Sequence, residues 1–399
     1  MLLIFYFFAA VQVFFGYKSL RGGIEFFNYF KKELSDKKEE FSPFATIIVP
    51  CRGIEVCLEE NLLSLFKQDY SKFEIIFVVD NESDESLPLI RSLISKNDIA
   101  RLIIAGKATN SGQKVHNLIE AAGQIADESE VLVFVDSDAR PDKYWLKNLV
   151  APLIDPAIGC TTGYRWFIQI HGGLATQLRA VWNASIASAL GQNSKSNFCW
   201  GGSMAIRRDN FDSLEIRNKW RGTLSDDFAL TKVLHEAGKP ICFVPQCLTA
   251  SVGDCGPGEL LEFTTRQMKI TRVYSPSHWI VSLISAFLFT AVFFGGIAHL
   301  FFTRGIYFWI DLSLIVILFI LGGAKAWIRL LSVKMVLPDY EIELNKQLRS
   351  QLTLWVITPI IFLFNDLMAL ISRRIVWRGI EYELKSATET VIIGRIEKG

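Results

Sequence analysis

The stretch Val131-Leu-Val-Phe-Val-Asp136-Ser-Asp138 is an uninterrupted apolar run that ends in two carboxylates. Such a run is typical of a strand that is buried on both faces of a parallel sheet. Ligands of open α/β sheets bind at the carboxyl ends of the strands, so the sequence predicts both acids at a binding edge. The competing interpretation is a polar loop or a helix cap, because Asp138 precedes Pro141 at a possible helix start.

The same two carboxylates indicate a metal ion. At this spacing Asp136 and Asp138 repel each other unless they share a cation. Hard oxygen ligands suit Mg²⁺ or Mn²⁺, and such an ion also binds diphosphates. The pattern therefore predicts a divalent metal at Asp138 and Asp136.

The residues on either side of this strand alternate short β-branched runs with amphipathic stretches. That alternation is typical of βα units around a mainly parallel sheet. Strands are predicted over 45–49, 73–79, 101–104 and 131–135, and helices over 56–66, 86–94 and 114–125. The predicted fold class is therefore α/β, with a doubly wound nucleotide-binding core and flanking helices over residues 44–275.

A second strand also ends in acids, in the stretch Phe77-Val-Val-Asp80-Asn-Glu-Ser-Asp84. A carboxylate at the end of a strand can accept hydrogen bonds from a base or a ribose, and this role is predicted for Asp80. For Asp84 the prediction is a structural one, in which Asp84 or Ser83 caps the helix that follows.

A third acidic pair lies in Leu224-Ser-Asp226-Asp227-Phe, ahead of an amphipathic stretch that ends at Gly238. This pattern predicts a helix start. Asp226 is suited to complement the helix N-terminus, so a structural role competes for one member of the pair. The other is available as a base, which transfer of a group to a hydroxyl requires.

A basic amphipathic stretch, Arg266-Gln-Met-Lys269-Ile-Thr-Arg272, comes directly before the apolar C-terminal part of the chain. Cations in this position suit a leaving diphosphate, whose negative charge develops as the bond to it breaks. Anchoring to anionic lipid headgroups is the alternative, and the two roles are compatible.

Long apolar runs at both ends of the chain indicate membrane segments. Residues 1–20 are predicted to be an uncleaved N-terminal anchor, because the apolar start lacks a basic first region and a cleavage site. Cations follow it, as expected on the cytoplasmic side: Lys18, Arg21, Lys31, Lys32, Lys37 and Lys38. Two apolar runs within 279–328 are predicted to form a transmembrane hairpin.

Residues 329–372 comprise an amphipathic stretch and a last apolar run, which Pro359, Asn365 and Asp366 interrupt, and a basic tail follows over 373–399. With four full spans that tail would lie opposite the sheet domain, against the positive-inside rule. One of these two segments is therefore predicted to be re-entrant or interfacial. The chain is predicted to be a multi-pass membrane protein with its sheet domain in the cytoplasm.

The composition agrees with a protein that lies partly in lipid, since 50% of the 399 residues are hydrophobic. The net charge of +1 and the lack of a basic stripe with interleaved aromatic residues argue against a nucleic-acid partner. The seven cysteines are scattered without a C-x-x-C pair, which predicts reduced thiols in a cytoplasmic domain.

The order of these elements resembles the processive-type family of inverting glycosyltransferases with the glycosyltransferase-A fold, and within it the ceramide glucosyltransferase group. The resemblance is carried by Ile48-Val49-Pro50, Asp80, Asp136-Ser-Asp138, Gly201-Gly202-Ser203, Asp226-Asp227, the basic element and the C-terminal Trp377-Arg378-Gly379-x-x-Tyr382. It implies a glycosyltransferase-A type sheet with transmembrane helices at both ends. The family writes the basic element as Q/R-x-x-R-W, whereas this chain has Lys269 and Ile270 at the last two positions.

The resemblance implies a role for each matched residue. The residues that it assigns to binding of the nucleotide sugar are Pro50, Asp80, Asp136, Arg266 and Lys269. Among them, Asp80 is expected at the uracil or ribose of a uridine-diphosphate sugar. Asp136 and Asp138 are expected to hold the diphosphate and a Mg²⁺ or Mn²⁺ ion, and Asp227 is expected to be the catalytic base.

The activity that the resemblance implies is the inverting transfer of a sugar, expected to be glucose, from a UDP-linked donor to a lipid hydroxyl at the cytoplasmic membrane face. A ceramide-like or diacylglycerol-like acceptor would place the chain in glycolipid biosynthesis, and with ceramide in sphingolipid metabolism. A polyprenyl-phosphate sugar synthase and a polysaccharide synthase stay open as alternative enzymes. A non-catalytic membrane scaffold with a nucleotide-sugar fold is the alternative from another class, and the intact acids argue against it.

Overall fold

The computed structural model describes residues 2–36 and 39–396. Met1 of the predicted anchor, Lys37 and Lys38 of its basic flank, and residues 397–399 of the predicted tail lie outside the described residues. The chain divides into two compact units. A helical unit contains the chain up to Lys31, His171–Ser188 and Asp254–Ser372, and a sheet unit contains Lys32–Ile170, Ala189–Gly253 and the chain from Arg373 onward.

The main sheet of the sheet unit has seven strands: β1 (Ala45–Pro50), β2 (Phe73–Val79), β3 (Ala100–Ile104), β4 (Val131–Phe134), β5 (Cys160–Ile168), β6 (Met204–Arg207) and β7 (Ile241–Val252). Their order across the sheet is β3-β2-β1-β4-β6-β5-β7. Strand β6 is antiparallel to both neighbours, and the other pairs are parallel. The four predicted strands agree with β1 to β4 to within one residue at each end, which confirms the α/β class with a mainly parallel sheet.

The helices are α1 (Leu2–Ser35), α2 (Leu58–Leu65), α3 (Leu87–Ile94), α4 (Gln113–Ala122), α5 (Trp145–Val150), α6 (Leu174–Ala187), α7 (Arg208–Ser213), α8 (Ile216–Lys219), α9 (Asp226–Glu236), α10 (Pro257–Tyr274), α11 (Pro276–Leu300), α12 (Ile306–Val336), α13 (Glu341–Thr353) and α14 (Thr358–Ile371). The three helices predicted within the sheet domain correspond to α2, α3 and α4.

The apolar run of β4 is buried along its whole length, as its composition predicts. Phe134 at its end packs edge-on against Trp220, with 5.3 Å between the ring centres. The same core includes Val115 and Leu118 of α4, so this helix is held against the sheet by its apolar face. All seven cysteines are free, as predicted for reduced thiols.

Gly163 on β5 is required by a close approach of two strands. A Cβ atom at this position would overlap the carbonyl oxygen of Cys247 and the hydroxyl of Ser203. We therefore expect Gly163→Ala to lower the free energy of unfolding by about 1–3 kcal/mol, the usual cost of overpacking a core. Thermal unfolding of the purified protein measures this. Gly191→Ala is the matched control, because a Cβ there meets no atom within 4 Å, and equal melting temperatures for the two variants would contradict the expectation.

A second, three-stranded antiparallel sheet, the C-terminal sheet, is formed by β8 (Arg374–Trp377), β9 (Ile380–Ser386) and β10 (Glu389–Arg395). It belongs to the sheet unit. Along β9, Ile380, Tyr382 and Leu384 are buried and alternate with more exposed residues, the pattern of a strand with one covered face. The sequence analysis described this region only as a basic tail and did not predict its strands.

Among the described residues, three helices are long and apolar enough to cross a membrane, at Leu3–Ser35, Pro276–Leu300 and Ile306–Val336. The first continues well past residue 20, the predicted end of the anchor. The segments Pro338–Val356 and Thr358–Ile371 are bent by 59° at a short break, as in a broken span or a re-entrant loop, and make a fourth candidate if they form one span. These helices are compatible with membrane association, and the bend lies within the region for which a re-entrant element was predicted.

Candidate functional site

The acids predicted from separate parts of the sequence lie at the carboxyl edge of the parallel strands. Asp136 is the second residue after β4, and Asp226 begins α9. The ammonium group of Lys114, in the first turn of α4, lies 2.7 Å from Asp136 Oδ1 and 3.2 Å from Asp226 Oδ1. One cation therefore joins the acid of the central strand to the acid of the helix.

Arg165 of β5 makes a second bridge, between the two acids of the D-S-D loop (Asp136-Ser137-Asp138). Its guanidinium lies 3.0 Å from Asp138 Oδ2 and 3.3 Å from Asp136 Oδ2. The same group stacks over the ring of Trp200 at 4.8 Å, an arrangement that stabilises a cation. The repulsion expected between the two aspartates is thus offset in this structure by arginine.

These contacts set the charge states of the cluster. Burial opposes ionisation of Asp136, but Lys114 and Arg165 hold the pKa of Asp136 below its usual value. Burial, followed by the neighbouring Asp227, raises the pKa of Asp226 to about 6, although Lys114 opposes this. Burial disfavours the charge on Lys114, yet Asp136 and Asp226 keep its pKa above the ordinary value. Lys114 is therefore a permanent cation at neutral pH.

The N-terminus of α9 orients Asp227. Ser225 is the N-cap residue, and Asp227 Oδ1 accepts hydrogen bonds from the Ser225 hydroxyl and from the backbone N–H of Phe228, the latter at 2.8 Å. Its Oδ2 accepts from the N–H of Gly201 at 3.3 Å. Asp226 lies in the first turn of α9, where its charge complements the helix N-terminus as predicted, and its carboxylate also pairs with Lys114. Asp227 remains partly exposed, whereas Asp226 is buried.

Asp80, at the end of β2, is a buried carboxylate between two arginines. It forms an ion pair with Arg52 and lies 4.0 Å from Arg395 Nη1, and Asn81 Nδ2 donates to its Oδ1 at 2.8 Å. Both oxygens thus have partners, but each can accept a further hydrogen bond. The role predicted for Asp80 at a base or ribose stays a prediction.

Asp84 has a structural role, as predicted, but it holds two loops together rather than capping a helix. Its carboxylate accepts hydrogen bonds from the backbone N–H groups of Gly53, at 3.0 Å, and Ser86, at 2.9 Å. The N-cap residue of α3 is Ser86, so the prediction that Asp84 or Ser83 is the cap was wrong by two or three residues. Asp84 ties together the loops that follow β1 and β2.

Glu55, in the loop after β1, reaches the D-S-D loop. It accepts a hydrogen bond from the Ser137 hydroxyl at 2.9 Å and forms an ion pair with Arg378 of the C-terminal sheet. Burial, followed by the charge of Asp138, raises the pKa of Glu55 to about 7, and Arg378 opposes this shift. A third acid is therefore held close to the two that the sequence singled out.

The residues present fit a divalent cation only in part. Asp138 Oδ1 and Asp226 Oδ2 are buried carboxylate oxygens without a hydrogen-bond partner, and such an oxygen is suited to a hard cation. Across residues 2–36 and 39–396, however, no group of three His, Cys, Asp or Glu side chains could hold a metal ion together. A metal here would use Asp138 and Asp136, both of which pair with Arg165, and would need further ligands from a substrate or water.

The remaining residues predicted to bind the nucleotide sugar are Pro50, Arg266 and Lys269. Pro50 ends β1 at the same edge as the acids. Arg266 and Lys269 lie on α10, in the helical unit, and Arg266 pairs with Glu262 one turn away at 3.7 Å. Their predicted contacts with a diphosphate stay predictions.

The sequence analysis did not identify the cationic partners of the acids. Arg165 had a recognisable signal, because it is a single charge within the apolar run Cys160–Ile168, and a buried charge requires a partner. For Lys114 the sequence offered no comparable signal beyond its position at the start of a predicted helix. Its ion pairs join residues that are distant in sequence, so no local pattern indicates them.

A family model matches nearly the whole chain. The family model of Glycosyl transferase family 21 matches residues 4–390. Curated relatives include the probable glycosyltransferase YdaM of Bacillus subtilis, 24% identical over 58% of this chain and 56% of that protein. Ceramide glucosyltransferase 1 of Caenorhabditis elegans is 35% identical over 20% of this chain and 17% of its own length. The ceramide glucosyltransferase of Candida albicans is 34% identical over 29% of this chain and 23% of its own length.

Among solved structures, the mannosyltransferase PcManGT of Pyrobaculum calidifontis, in complex with GDP-Man and Mn²⁺, is similar with a TM-score of 0.46 and 17% identity, covering 90% of this chain and 99% of that one. The chain spans only 56% of the first curated relative and less than a quarter of the two ceramide glucosyltransferases. The family model, in contrast, covers nearly the whole chain, which confirms the predicted resemblance. The chain belongs to glycosyl transferase family 21.

Proposed function

We propose that this protein is a membrane-anchored, inverting glycosyltransferase that transfers glucose from UDP-glucose to the hydroxyl of a ceramide-like or diacylglycerol-like lipid at the cytoplasmic membrane face. Family membership, relatives named ceramide glucosyltransferase and the long apolar helices support it. The observation that carries the proposal is the cluster in which Lys114 bridges Asp136 and Asp226. Asp138 lies two residues after Asp136, and Asp227 directly follows Asp226.

In this proposal the donor binds at the carboxyl edge of the sheet, where cations and acids are already arranged. Lys114 and Arg165 lie at the D-S-D loop and offset the charge of the diphosphate. Asp80 accepts hydrogen bonds from the uracil or the ribose with the lone pairs that its present partners leave available. Pro50, at the end of β1, contacts the nucleotide.

Asp227 is proposed as the general base. It takes the proton of the acceptor hydroxyl as the hydroxyl oxygen forms a bond to the anomeric carbon. The bond between that carbon and the diphosphate breaks, UDP leaves with the electron pair, and the configuration at the anomeric carbon inverts. The hydrogen bonds from Gly201 and Phe228 fix the carboxylate for this step.

A Mg²⁺ or Mn²⁺ ion held by Asp138 and Asp136 would offset the negative charge of the leaving UDP. The unpartnered Asp138 Oδ1 supports this assignment. Arg165 faces both of these acids, so its guanidinium shares their charge with any cation that binds there.

Metal removal provides a direct test. We expect EDTA to reduce the transfer of glucose by the purified, detergent-solubilised protein to background, and excess Mg²⁺ or Mn²⁺ to restore it, because two cationic side chains alone leave the diphosphate charge incompletely offset. The measurement is the mass of the glycolipid formed from UDP-glucose and ceramide or diacylglycerol. Unchanged turnover in EDTA would show that no exchangeable metal is needed, and product formed only on a polyprenyl phosphate would replace the proposed acceptor.

A further inference from the structure

The turn between β8 and β9 carries an unusual residue. Trp377 pairs with Ile380, so Arg378 and Gly379 form a two-residue hairpin turn, and both have positive φ, 52° and 71°. Turns of this kind are of type I′ and favour Asn-Gly, because side chains larger than Asn or Asp rarely adopt positive φ. Strained residues of this sort concentrate at functional sites. The side chain of Arg378, rather than the shape of the turn, therefore needs an explanation.

Arg378 is connected to the acids of the candidate site. Its guanidinium forms an ion pair with Glu55, its carbonyl oxygen accepts a hydrogen bond from Arg52 Nε at 2.9 Å, and Glu55 in turn accepts from the hydroxyl of Ser137. Ser137 is the central residue of the D-S-D loop. Polar contacts thus connect the hairpin turn to that loop. The first of them joins Arg378 to Glu55, which are 323 positions apart in the sequence.

The same sheet supports other parts of the site. Arg395 of β10 lies 4.0 Å from Asp80 and donates to Gln113 Oε1 at 3.1 Å. The hydroxyl of Tyr382 on β9 accepts from the backbone N–H of Gln113 at 3.1 Å. Gln113 is the first residue of α4, and the next residue is Lys114. The C-terminal sheet therefore contacts the supports of Asp80, of Lys114 and of the D-S-D loop.

We propose that the C-terminal sheet is a working part of the nucleotide-sugar site and that Arg378 is a positioning residue, which acts through Glu55 and Ser137 to hold the D-S-D loop against the diphosphate of the donor. This inference rests on the proposed function. The side chain of Arg378 is 42% exposed, so solvent screens its ion pair, and the less exposed Glu55 keeps its hydrogen bond from Ser137 when the arginine is replaced. Groups that orient ligand-binding side chains nevertheless change affinity or activity by about 10–100-fold when they are lost.

The substitution Arg378→Asn separates the role of the side chain from that of the turn. It creates the Asn-Gly sequence that this turn favours, so the melting temperature is expected to stay the same or rise. The cation is lost, and the KM for UDP-glucose is expected to rise about tenfold with the KM for the lipid unchanged. Arg378→Lys keeps the charge but not the planar guanidinium, and an intermediate KM is expected.

The control is Lys385→Asn, which removes a cation from the same sheet. Lys385 pairs with the partly exposed Glu383 on its own strand, at 2.7 Å, and its replacement is expected to leave the KM for UDP-glucose unchanged. Equal KM values for Arg378→Asn and Lys385→Asn would overturn the proposal.

The route through Glu55 is tested by a double-mutant cycle with Glu55→Gln. If Arg378 acts through Glu55, the double variant costs no more than the worse single variant, whereas additive costs would show that Arg378 acts elsewhere and would overturn this route. Calorimetric titration of UDP gives a readout that needs neither acceptor nor turnover. Weaker UDP binding by Arg378→Asn, about tenfold, supports the inference even if no lipid is glucosylated, and unchanged UDP binding contradicts it. Absence of sugar transfer by the unmodified protein counts against the proposed function alone.

Discussion

Replacing Asp227 by asparagine is expected to lower kcat for sugar transfer by about 10²–10⁴-fold, the contribution of a general base, with little change in the KM for UDP-glucose. Asparagine has the same shape and keeps an oxygen that accepts from the Phe228 N–H, a bond of 2.8 Å in the structure. The N-terminus of α9 therefore stays intact. The amide cannot take up the proton of the acceptor hydroxyl, so only the chemical step is lost.

Steady-state kinetics on membranes or detergent-solubilised protein measure this effect. Asp209→Asn is the matched control, because Asp209 is also a first-turn aspartate that accepts from a backbone N–H, at 2.7 Å, but lies on α7 and is exposed. Its kcat is expected to be unchanged. Full turnover by Asp227→Asn would show that Asp227 is not the base. If kcat falls in Asp226→Asn but not in Asp227→Asn, the base is Asp226, whose Oδ2 atom has no hydrogen-bond partner.

Replacing Lys114 by methionine is expected to lower the free energy of unfolding by about 3–5 kcal/mol, the cost of removing one partner from a buried ion pair. The lysine side chain is only 15% exposed and separates two carboxylates that repel each other without it. Methionine fills a similar volume, so the loss comes from charge rather than from packing. Glucose transfer is expected to fall as well, because the diphosphate loses a cation.

Thermal unfolding of Lys114→Met measures the stability term, with Lys147→Met as the control. Lys147 pairs with Glu40 at 3.9 Å on the surface, with 46% of its side chain exposed, and its replacement is expected to change stability by less than about 0.5 kcal/mol. Adding Asp226→Asn to Lys114→Met is expected to restore part of the loss, because it removes one of the two repelling charges. Equal melting temperatures for the two lysine variants would contradict the electrostatic role assigned to Lys114.

The parallel half of the sheet could be predicted from sequence because its strands are buried on both faces. Strand β4 and residues 75–79 of β2 are continuous apolar runs, and acidic residues follow both of them. The position of the acids at one edge follows from parallel pairing alone, in which all carboxyl ends meet on the same side. The acids of the D-S-D loop and Asp80 were therefore placed correctly at that edge without knowledge of the fold.

The C-terminal sheet was missed although its sequence carries a signal. Residues 380–385 read Ile-Glu-Tyr-Glu-Leu-Lys, which alternates apolar and charged residues with a period of two, the pattern of a half-buried strand. The arginines at 373, 374 and 378 were attributed to membrane topology, and the strand pattern was not weighed against it. The contacts of Arg378 with Glu55 and of Arg395 with Asp80 were consequently not predicted.

Assignment of the two aspartates at α9 shows where sequence reasoning reaches its limit. Both occupy the first turn of the helix, and this position alone does not show which of them has a structural role and which is available as a base. The distinction depends on Lys114, which lies more than one hundred residues earlier and binds Asp226. Only the folded chain brings these groups together, and so leaves Asp227 as the partly exposed member of the pair.

The stereochemistry of the product tests the central claim most directly. Purified protein, a divalent cation, UDP-glucose with its α-linked sugar and a ceramide acceptor should give a glucosylated lipid whose anomeric proton shows the β configuration by NMR. Asp227→Asn should give none above background. A lipid product that retains the α configuration would contradict a single displacement in which Asp227 is the base. If the protein transfers sugar from none of the nucleotide sugars offered, the proposed activity is contradicted.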